Sequence, residues 1–432
     1  MASGELEERL LSRTCFNEFV VPSYDGYCLS SVPSTILSMF GVERGRPKIP
    51  SDVLEVKPGT QNVVLLLADG LGYYDAKPLV DQGDLLGAAA RAGAFVPITT
   101  VFPSTTAAAL TTVATGLTPQ EHCLPEWFVY MKEVDKVVAT LPFSAVGQRG
   151  RDGMAKEMDP RALFSGPTVN WALRRMGVDV ACFVGAGIAR TAYSKLSHAG
   201  SEVVPYMTSS DLFAALRRRI EAARRPSFFY VYWEKVDTIG HSFGPGTEES
   251  ASEASLLNHL VRRELLDRLS PGAAQETTLI LTADHGQVRV DPRGATFVNG
   301  MRSVLRDLRR SPAGKMIPPW GSARDMYLAA RDGRAGALEA SLRRGLGDEA
   351  VVLPTSEAVF WEPLYFIIDV LAMTMSCLTP ESDVISSSVM PSAKYPSSGS
   401  ELRFAKGSTA MRLVSSEAAR SLNSDCHGMT IL

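Results

Sequence analysis

Aspartate and histidine residues follow three apolar stretches of this sequence, at the points where the stretches end. They are Asp69 after the run VVLLLA, Asp237 and His241 after the run FFYVYW at residues 228–233, and Asp284 and His285 after TTLILTA at residues 277–283. Carboxylate oxygens and imidazole nitrogens are ligands that Zn2+ accepts. One helical turn would bring Asp237 and His241 to the same side, because they are four residues apart. The five residues together predict a centre for divalent metal ions, although a single Asp after a buried strand, such as Asp69, is more often the cap of the following helix.

A group of hydroxyl residues, PSTT at residues 103–106, precedes a helix predicted from about Thr105 to Ala114. Serine and threonine are common helix caps, and capping is one reading of this group. The other reading is a nucleophile, because the N-terminus of a helix favours an anion and a nearby metal lowers the pKa of an alcohol. Spacing alone leaves both readings open.

The fold that would position these residues is an α/β sheet with buried parallel strands. Continuous apolar runs are typical of such strands, and ligands bind beyond the carboxyl ends of the strands in open parallel sheets. The predicted strands lie near residues 62–68, 94–101, 178–184, 228–233 and 277–283. A helix is predicted from Asp211 to Arg225, capped by Ser209 or Ser210, and another from Glu248 to Leu269. We therefore expect an α/β/α sandwich with a mostly parallel central sheet and small cap insertions.

Composition narrows the choice of partners and compartment. The 432 residues carry a net charge of -3, so there is no basic footprint for polymeric nucleic acid. The six cysteines form no CxxC pair, and the acidic N-terminus has no apolar signal core. The apolar run from Leu364 to Leu378 contains Asp369 and is too short to span a bilayer. These features predict a cytoplasmic protein with no membrane segment.

The chain is predicted to have three parts. Residues 1–60 form an N-terminal wrap, and residues 61–359 form the domain that carries the candidate metal ligands. Residues 360–432 are rich in serine and weakly periodic, which is typical of loops or poorly ordered tails. Specificity is expected in inserted loops within residues 125–225 and 287–350, because loops carry the variable parts of binding sites.

Three carboxylates and two imidazoles are enough ligands for two divalent metal ions near a hydroxyl. A metal pair about 4 Å apart can hold both the attacking and the leaving oxygen of a phosphoryl transfer. Zn2+ is the first choice because it binds mixed histidine and carboxylate sets, and Mn2+ is the second.

Four motifs in this order resemble the type I phosphodiesterase/nucleotide pyrophosphatase family, within the alkaline phosphatase superfamily. They are LLLADGLG, FPSTTAAALTTVATGLTPQEH, YWEKVDTIGHSFGP and TADHGQ, and the resemblance runs from about Asn62 to Leu328. The resemblance implies that Thr106 is the nucleophile, with Thr105 as its nearest competitor. It implies one zinc held by Asp69, Thr106, Asp284 and His285, and a second held by Asp237, His241 and a histidine near the C-terminus. Downstream of His285 only His427 can supply that histidine.

The chain departs from the family in two places. Where eukaryotic members have His-Gly and then a phosphate-binding asparagine, this chain has His122 and Cys123, with Trp127 at the asparagine position. The region from Phe360 onward does not resemble the family, and His427 lies almost at the end of the chain. The remaining histidines, His122, His198 and His259, are assigned no metal role.

The resemblance implies a zinc-dependent hydrolase that cleaves phosphodiester or pyrophosphate bonds of nucleotides or related small molecules through a phospho-threonine intermediate. A phosphomonoesterase or phosphonate hydrolase on the same two-metal centre is an alternative. Another is a catalytically silent binding protein that lacks the C-terminal zinc ligand. A sulfatase is not expected, because the nucleophile region has no Cys or Ser followed by x-Pro-x-Arg.

Overall fold

The computed structural model describes residues 3–15, 19–51, 53–54, 61–92, 94–291, 293, 295–354, 400–402 and 429–431. The chain forms two compact units. Unit 1 comprises Met1–His122, Gly166–Arg289 and Arg420–Leu432, and unit 2 comprises Cys123–Ser165 and Val290–Ala419. The three-part division expected from the sequence stays a prediction.

The core of unit 1 is a five-stranded sheet in which all neighbouring strands are parallel. In chain order the strands are β1 (Asn62–Ala68), β2 (Asp179–Gly185), β3 (Glu202–Tyr206), β4 (Ser227–Trp233) and β5 (Thr277–Thr282). Across the sheet their order is β5-β1-β4-β2-β3, so β1 lies between β5 and β4. The α/β class with a parallel central sheet, predicted from the apolar runs, is confirmed.

Both faces of the sheet are covered, which explains why β1 and β4 are hydrophobic at every position after their first residues, Asn62 and Ser227. Every residue of β1 and of β4 is buried. On one face, Leu66 and Val231 pack in a core with Leu216 and Leu257, from the helices Ser209–Ala222 and Glu248–Leu260. On the other face, the helix Val169–Arg175 contacts the sheet, where Asn170 donates a hydrogen bond to the Cys182 sulfur at 3.5 Å.

The register of the strands aligns the residues that follow them. Ala68 at the end of β1 pairs with Trp233 at the end of β4, and Leu67 pairs with Thr282 at the end of β5. Asp69 therefore leaves the sheet at the same edge as the segments that follow β4 and β5.

The α-helices and the remaining strands of unit 1 surround this sheet. The helices are Ser3–Leu11, Ser31–Met39, Tyr73–Ala76, Leu85–Arg91, Thr106–Thr115, Pro119–His122, Val169–Arg175, Ala192–Ser197, Ser209–Ala222, Lys235–Phe243, Glu248–Leu260 and Pro271–Gln275. The remaining strands form the pairs Thr14–Cys15 with Phe19–Val20 and Pro97–Thr99 with Met429–Ile431. Among the described residues no helix combines the length and the apolar character needed to cross a bilayer. The run from Leu364 to Leu378 lies outside the described residues.

One predicted strand lies outside the central sheet, and one strand of that sheet was missed. The stretch at residues 94–101 gives only the strand Pro97–Thr99, which pairs antiparallel with Met429–Ile431 outside the central sheet. Its proline has no N–H to donate to a ladder, which limits the pairing that the stretch can make. The edge strand β3 was missed, because four of its five residues are only half-buried or exposed and it contains Pro205.

Helix boundaries also differ from the prediction. The helix predicted from Asp211 to Arg225 runs from Ser209 to Ala222, and its cap is Thr208 rather than Ser209 or Ser210. The side chains of Thr208 and Asp211 exchange hydrogen bonds with each other's backbone N–H. The helix predicted to reach Leu269 is α-helical only over Glu248–Leu260, and then continues as a π-turn over Val261–Leu265.

Unit 2 has three small antiparallel sheets and a small helical core of its own. Its strands are Phe128–Met131, Lys136–Ala139, Ser144–Ala145, Trp320–Gly321, Met326–Tyr327, and Val352–Pro354 paired with Ser400–Leu402. Its α-helices are Arg302–Asp307 and Ala335–Leu346, which pack through Val304, Leu338 and Leu342.

Candidate metal centre

Asp69 is the first residue after β1, and its carboxylate is held at one oxygen. The side chain is buried, and the Tyr232 hydroxyl donates a hydrogen bond to Oδ2. The Asp69 N–H bonds to the Trp233 carbonyl at 2.8 Å, which continues the pairing of β1 with β4 by one residue. The other carboxylate oxygen, Oδ1, is buried and has no hydrogen-bond partner. A buried charged oxygen left in this way is costly unless a cation or a proton compensates it.

Asp284 shows the same division between its two oxygens. Its Oδ1 accepts hydrogen bonds from the backbone N–H groups of Gly70, at 3.0 Å, and His285, at 2.9 Å. Its Oδ2 is buried with no hydrogen-bond partner. The loops after β1 and β5 are therefore joined through one oxygen of Asp284, while the other oxygen is left for a ligand.

His285 presents its Nε2 atom to both of these oxygens. Its Nδ1 lies 3.0 Å from the Gly286 carbonyl, which can only accept, so Nδ1 carries the proton and Nε2 keeps its lone pair in the neutral ring. Nε2 lies 2.8 Å from the Thr106 hydroxyl, 3.3 Å from Asp284 Oδ2 and 3.7 Å from Asp69 Oδ1. The Thr106 hydroxyl and one carboxylate oxygen each of Asp284 and Asp69 therefore lie around this nitrogen, which can itself bind a metal.

The spacing of these atoms fits a metal ion. A tetrahedral Zn2+ with bonds of about 2.0 Å separates its ligand atoms by about 3.3 Å. The three distances from His285 Nε2 lie on both sides of that value. Together with the two buried carboxylate oxygens that lack hydrogen bonds, they make the surroundings of His285 Nε2 suitable for a small cation.

The structure separates the two threonines that compete as nucleophile. Thr106 is the first residue of the helix Thr106–Thr115, and its hydroxyl donates to His285 Nε2. Thr105 precedes the helix in an extended conformation, but its side chain makes no capping hydrogen bond, and its buried hydroxyl has no hydrogen-bond partner. Of these two hydroxyls, only that of Thr106 therefore makes a hydrogen bond to a residue of the candidate centre.

Asp237 and His241 lie on one face of the helix Lys235–Phe243, which follows β4. His241 Nε2 is 3.3 Å from Asp237 Oδ1, as their four-residue spacing predicts, and the His241 side chain is 51% exposed. The Asp237 N–H bonds to the Asp69 carbonyl at 2.9 Å. Ligand atoms of Asp69, Asp237 and His285 lie within 4.8 Å of one another. Asp237 thus joins the exposed His241 to the buried half of the centre.

The electrostatics of the centre favour a cation. Burial, followed by the negative charges of Asp284 and Asp237, raises the pKa of Asp69 well above its ordinary range. Burial and the charge of Asp69 likewise raise the pKa of Tyr232, so this hydroxyl stays protonated and continues to donate. A divalent ion would relieve the repulsion among these carboxylates.

Glycines allow the loops to approach closely enough to form the centre. Gly70 has a φ of +75°, and a Cβ there would lie 2.9 Å from both Cα and Cβ of Asp237. A Cβ on Gly72 would lie 2.9 Å from the Gly286 Cα. Side chains at these positions would push the loops after β1, β4 and β5 apart.

Sequence reasoning missed two residues that hold the ligands. Tyr232 lies within the buried run of β4 and gave no signal apart from its hydroxyl. Gln287 follows Asp284 by three residues, and its amide bonds to Asp237. Only the folded chain shows which carboxylate each of them contacts.

The other histidines lie apart from the metal-binding group. Burial lowers the pKa of His122 to about 3 and that of His198 to about 4. His122 bonds to Thr112 at 3.1 Å. His259 Nδ1 lies 3.3 Å from a carboxylate oxygen of Asp84.

Two further residues that the sequence analysis discussed, Trp127 and His427, are not among the site residues described above. Trp127 belongs to unit 2, and its backbone N–H donates to the side-chain carboxylate of Glu126 at 2.7 Å. His427 lies outside the described residues. Two residues after it, the strand Met429–Ile431 begins, which pairs with Pro97–Thr99 ahead of Thr106.

Comparison with known proteins identifies the family. The sequence model for type I phosphodiesterase/nucleotide pyrophosphatase matches residues 63–347, more than half of the chain. The chain belongs to this family. The match spans six of the seven predicted site residues, from Asp69 to His285, and ends before His427. No curated protein sequence matches the chain significantly.

Solved structures share the fold of this family member at low sequence identity. Murine ectonucleotide pyrophosphatase/phosphodiesterase 5 has a TM-score of 0.55 and 13% identity, covering 86% of this chain and 87% of its own. Phosphonoacetate hydrolase from Sinorhizobium meliloti 1021, in complex with phosphonoformate, has a TM-score of 0.52 and 17% identity, covering 87% of this chain and 88% of its own. These similarities establish an alkaline-phosphatase-like fold.

Proposed function

We propose that this protein is a metal-dependent hydrolase of phosphodiester or pyrophosphate bonds in nucleotides or related small molecules, with Thr106 as its nucleophile. The observation that carries the proposal is the convergence of Thr106, Asp284 and Asp69 on His285 Nε2, at 2.8, 3.3 and 3.7 Å. Membership of the family supports this chemistry.

Two metal positions follow from the ligand set. Asp69, Thr106, Asp284 and His285 would hold one ion, and Asp237, His241 and His427 the other. Pairing of Met429–Ile431 with Pro97–Thr99 supports the role of His427, because it connects the end of the chain to the segment that leads into Thr106. Zn2+ suits this mixed set of nitrogen and oxygen ligands, and Mn2+ is the second choice.

The residues of the chain would have separate roles in a two-step displacement at phosphorus. Bound metal ions supply positive charge that favours the alkoxide of Thr106 and balances charge on the phosphoryl oxygens. Thr106 Oγ1, after releasing its proton to solvent, would form a bond to phosphorus while the bond from phosphorus to the leaving oxygen breaks, and the leaving oxygen would take up a proton. Water would then attack phosphorus while the bond to Thr106 breaks, so that one proton of the water returns to the threonine oxygen and its hydroxyl stays on phosphorus. Backbone N–H groups at the start of the helix Thr106–Thr115 can bind the phosphoryl oxygens.

Turnover of bis-p-nitrophenyl phosphate and ATP, with and without a chelator, tests this proposal. Thr106→Ala should abolish turnover while the protein still binds metal through the remaining ligands. Thr105→Ala is the matched control, because it removes a neighbouring hydroxyl that contacts none of the ligands, and it should retain turnover. Wild-type protein that shows no metal-dependent turnover would overturn the proposal.

Metal content separates the enzyme from a silent relative. Mass spectrometry of the purified protein should find two zinc ions per chain, and His427→Ala should lose one of them. One ion or none in the wild type would favour a binding protein that keeps the fold without the second metal. Phosphonoacetate and a phosphomonoester belong in the substrate panel, since a phosphonate hydrolase shares this fold. The cytoplasmic location and the small-molecule partner stay predictions.

A further inference from the structure

Gln287 connects two sides of the candidate centre across the end of β1. It lies in the segment after β5, and its amide reaches the helix Lys235–Phe243, which follows β4. Its Nε2 donates to the Asp237 carbonyl at 3.1 Å and to Asp237 Oδ1 at 2.6 Å. The strands β5 and β4 are not neighbours, so this amide bridges a gap that the sheet itself leaves.

The orientation of the amide is fixed by its surroundings. Both oxygens of Asp237 that it contacts accept hydrogen bonds, so the amide nitrogen must face them and Oε1 must point the other way. There it meets Gly240, where an added Cβ would lie 1.6 Å from Oε1. The space for Gln287 therefore exists only because residue 240 is glycine, although glycine is an unfavourable residue inside a helix.

The helix does not need these bonds for its own stability. Carbonyl groups in its first turn already accept from N–H groups four residues later, and the groups left without partners at a helix start are N–H donors. Gln287 therefore supplies a hydrogen-bond donor that the start of the helix does not require. The hydrogen bond to Asp237 Oδ1 affects the candidate centre, because this oxygen also lies 3.3 Å from His241 Nε2.

We propose that Gln287 is a positioning residue for the second metal ion, with Gly240 as the residue that makes room for it. By donating a hydrogen bond to Asp237 Oδ1, the amide fixes the rotamer of Asp237 and therefore its orientation toward His241. This inference rests on the proposed function, because it assumes that Asp237 and His241 bind a metal ion. It adds a role for two residues that supply no metal ligand themselves.

The test measures zinc affinity in competition with a chelator, for the wild type and for Gln287→Ala, Gln287→Glu and Gly240→Ala. Loss of a residue that orients a metal ligand typically costs 10–100-fold in affinity. Gln287→Ala should weaken one of two zinc ions by about that factor and leave the other unchanged. Gln287→Glu should weaken the same ion at least as much, because it places a carboxylate oxygen against Asp237. Gly240→Ala should reproduce the loss, because its methyl group displaces the amide.

Two comparisons exclude a general effect on folding. Gly336→Ala places the same change in the helix Ala335–Leu346, where nothing lies within 4 Å of the added methyl group, and it should leave both zinc affinities unchanged. In the double variant Gln287→Ala with Gly240→Ala, the second change should cost little further affinity, because the amide is already absent.

The outcomes distinguish this inference from the proposed function. If the wild type binds two zinc ions and Gln287→Ala binds both with unchanged affinity, the inference alone is wrong. The same conclusion follows if Gly240→Ala behaves like Gly336→Ala, or if its effect is fully retained in the double variant. If the wild type binds fewer than two ions, the proposed second metal position fails and the inference fails with it.

Discussion

Gly70 provides a sharp test of how the loops of the metal centre fit together. It has a φ of +75°, and an added Cβ would lie 2.9 Å from the Asp237 Cα and Cβ. Carbon atoms in contact normally lie about 3.5–4.0 Å apart, so Gly70→Ala must move Asp237 by about 0.6–1 Å. Gly83 has nearly the same φ, +76°, but nothing lies within 4 Å of its added Cβ. Gly83→Ala is therefore a control for the backbone conformation alone.

The two substitutions should differ by the cost of the contact. The left-handed conformation costs a residue with a Cβ about 1–2 kcal/mol, and both variants should lose that much stability. Overpacking a tight contact adds about 1–3 kcal/mol, which only Gly70→Ala should lose. Because Asp237 is displaced, Gly70→Ala should also bind zinc more weakly, by about 10–100-fold. Denaturant unfolding of the metal-free protein measures the first effect, and zinc titration against a chelator measures the second.

Equal behaviour of the two glycine variants would refute this reasoning. If Gly70→Ala and Gly83→Ala lose the same free energy of unfolding and both keep the zinc affinity of the wild type, the close approach of Gly70 to Asp237 does not shape the centre. Weaker zinc binding by Gly83→Ala would also count against it, since that glycine has no contact that could reach the ligands.

Three further changes have defined outcomes. Tyr232→Phe removes the hydroxyl that donates to Asp69 and should weaken zinc binding about 10–100-fold with little loss of apolar packing, as chelator competition would show. Burial and the charge of Asp325 raise the pKa of Glu126 well above its ordinary value, so the folded protein keeps a proton on Glu126 that the unfolded protein releases above about pH 4.3. Glu126 should therefore lower the free energy of unfolding as the pH rises above that value, by at most about 1.4 kcal/mol per pH unit, and Glu126→Gln should remove this contribution, measured as the difference from the wild type in urea titrations at several pH values. Thr208→Ala removes the cap of the helix Ser209–Ala222 and should cost about 1 kcal/mol of stability in the same assay.

Some of the fold and the site could be predicted from local sequence. The apolar runs near residues 62–68, 178–184, 228–233 and 277–283 are strands of the central sheet, because a strand buried on both faces needs apolar residues at every position. Asp69 and Asp284 then had to lie at the carboxyl edge, since they follow the last residue of their strands by one and two positions. Asp237 and His241 share a helix face because their spacing matches one turn.

Other features depended on contacts that no local pattern contains. Edge strand β3 is partly exposed and interrupted by proline, so it lacks the signal of a buried strand. The stretch at residues 94–101 reads as a strand, but its partner lies near the end of the chain, at Met429–Ile431. Composition cannot specify such a pairing, because it depends on which segments meet in the folded chain.

The sequence by itself determined which residue types stand at the strand ends, and therefore that the site would suit divalent metal ions. The tertiary structure decided how they combine. Placing β1 between β5 and β4 brings Asp69 against Asp237 and His285. The position of the helix Thr106–Thr115 brings Thr106 to His285 across 179 residues of chain. The tertiary structure also determined that Tyr232 makes a hydrogen bond to the carboxylate of Asp69 and Gln287 to that of Asp237. Local propensity acts over a few residues, whereas strand order and loop packing set distances between residues that are far apart in the chain.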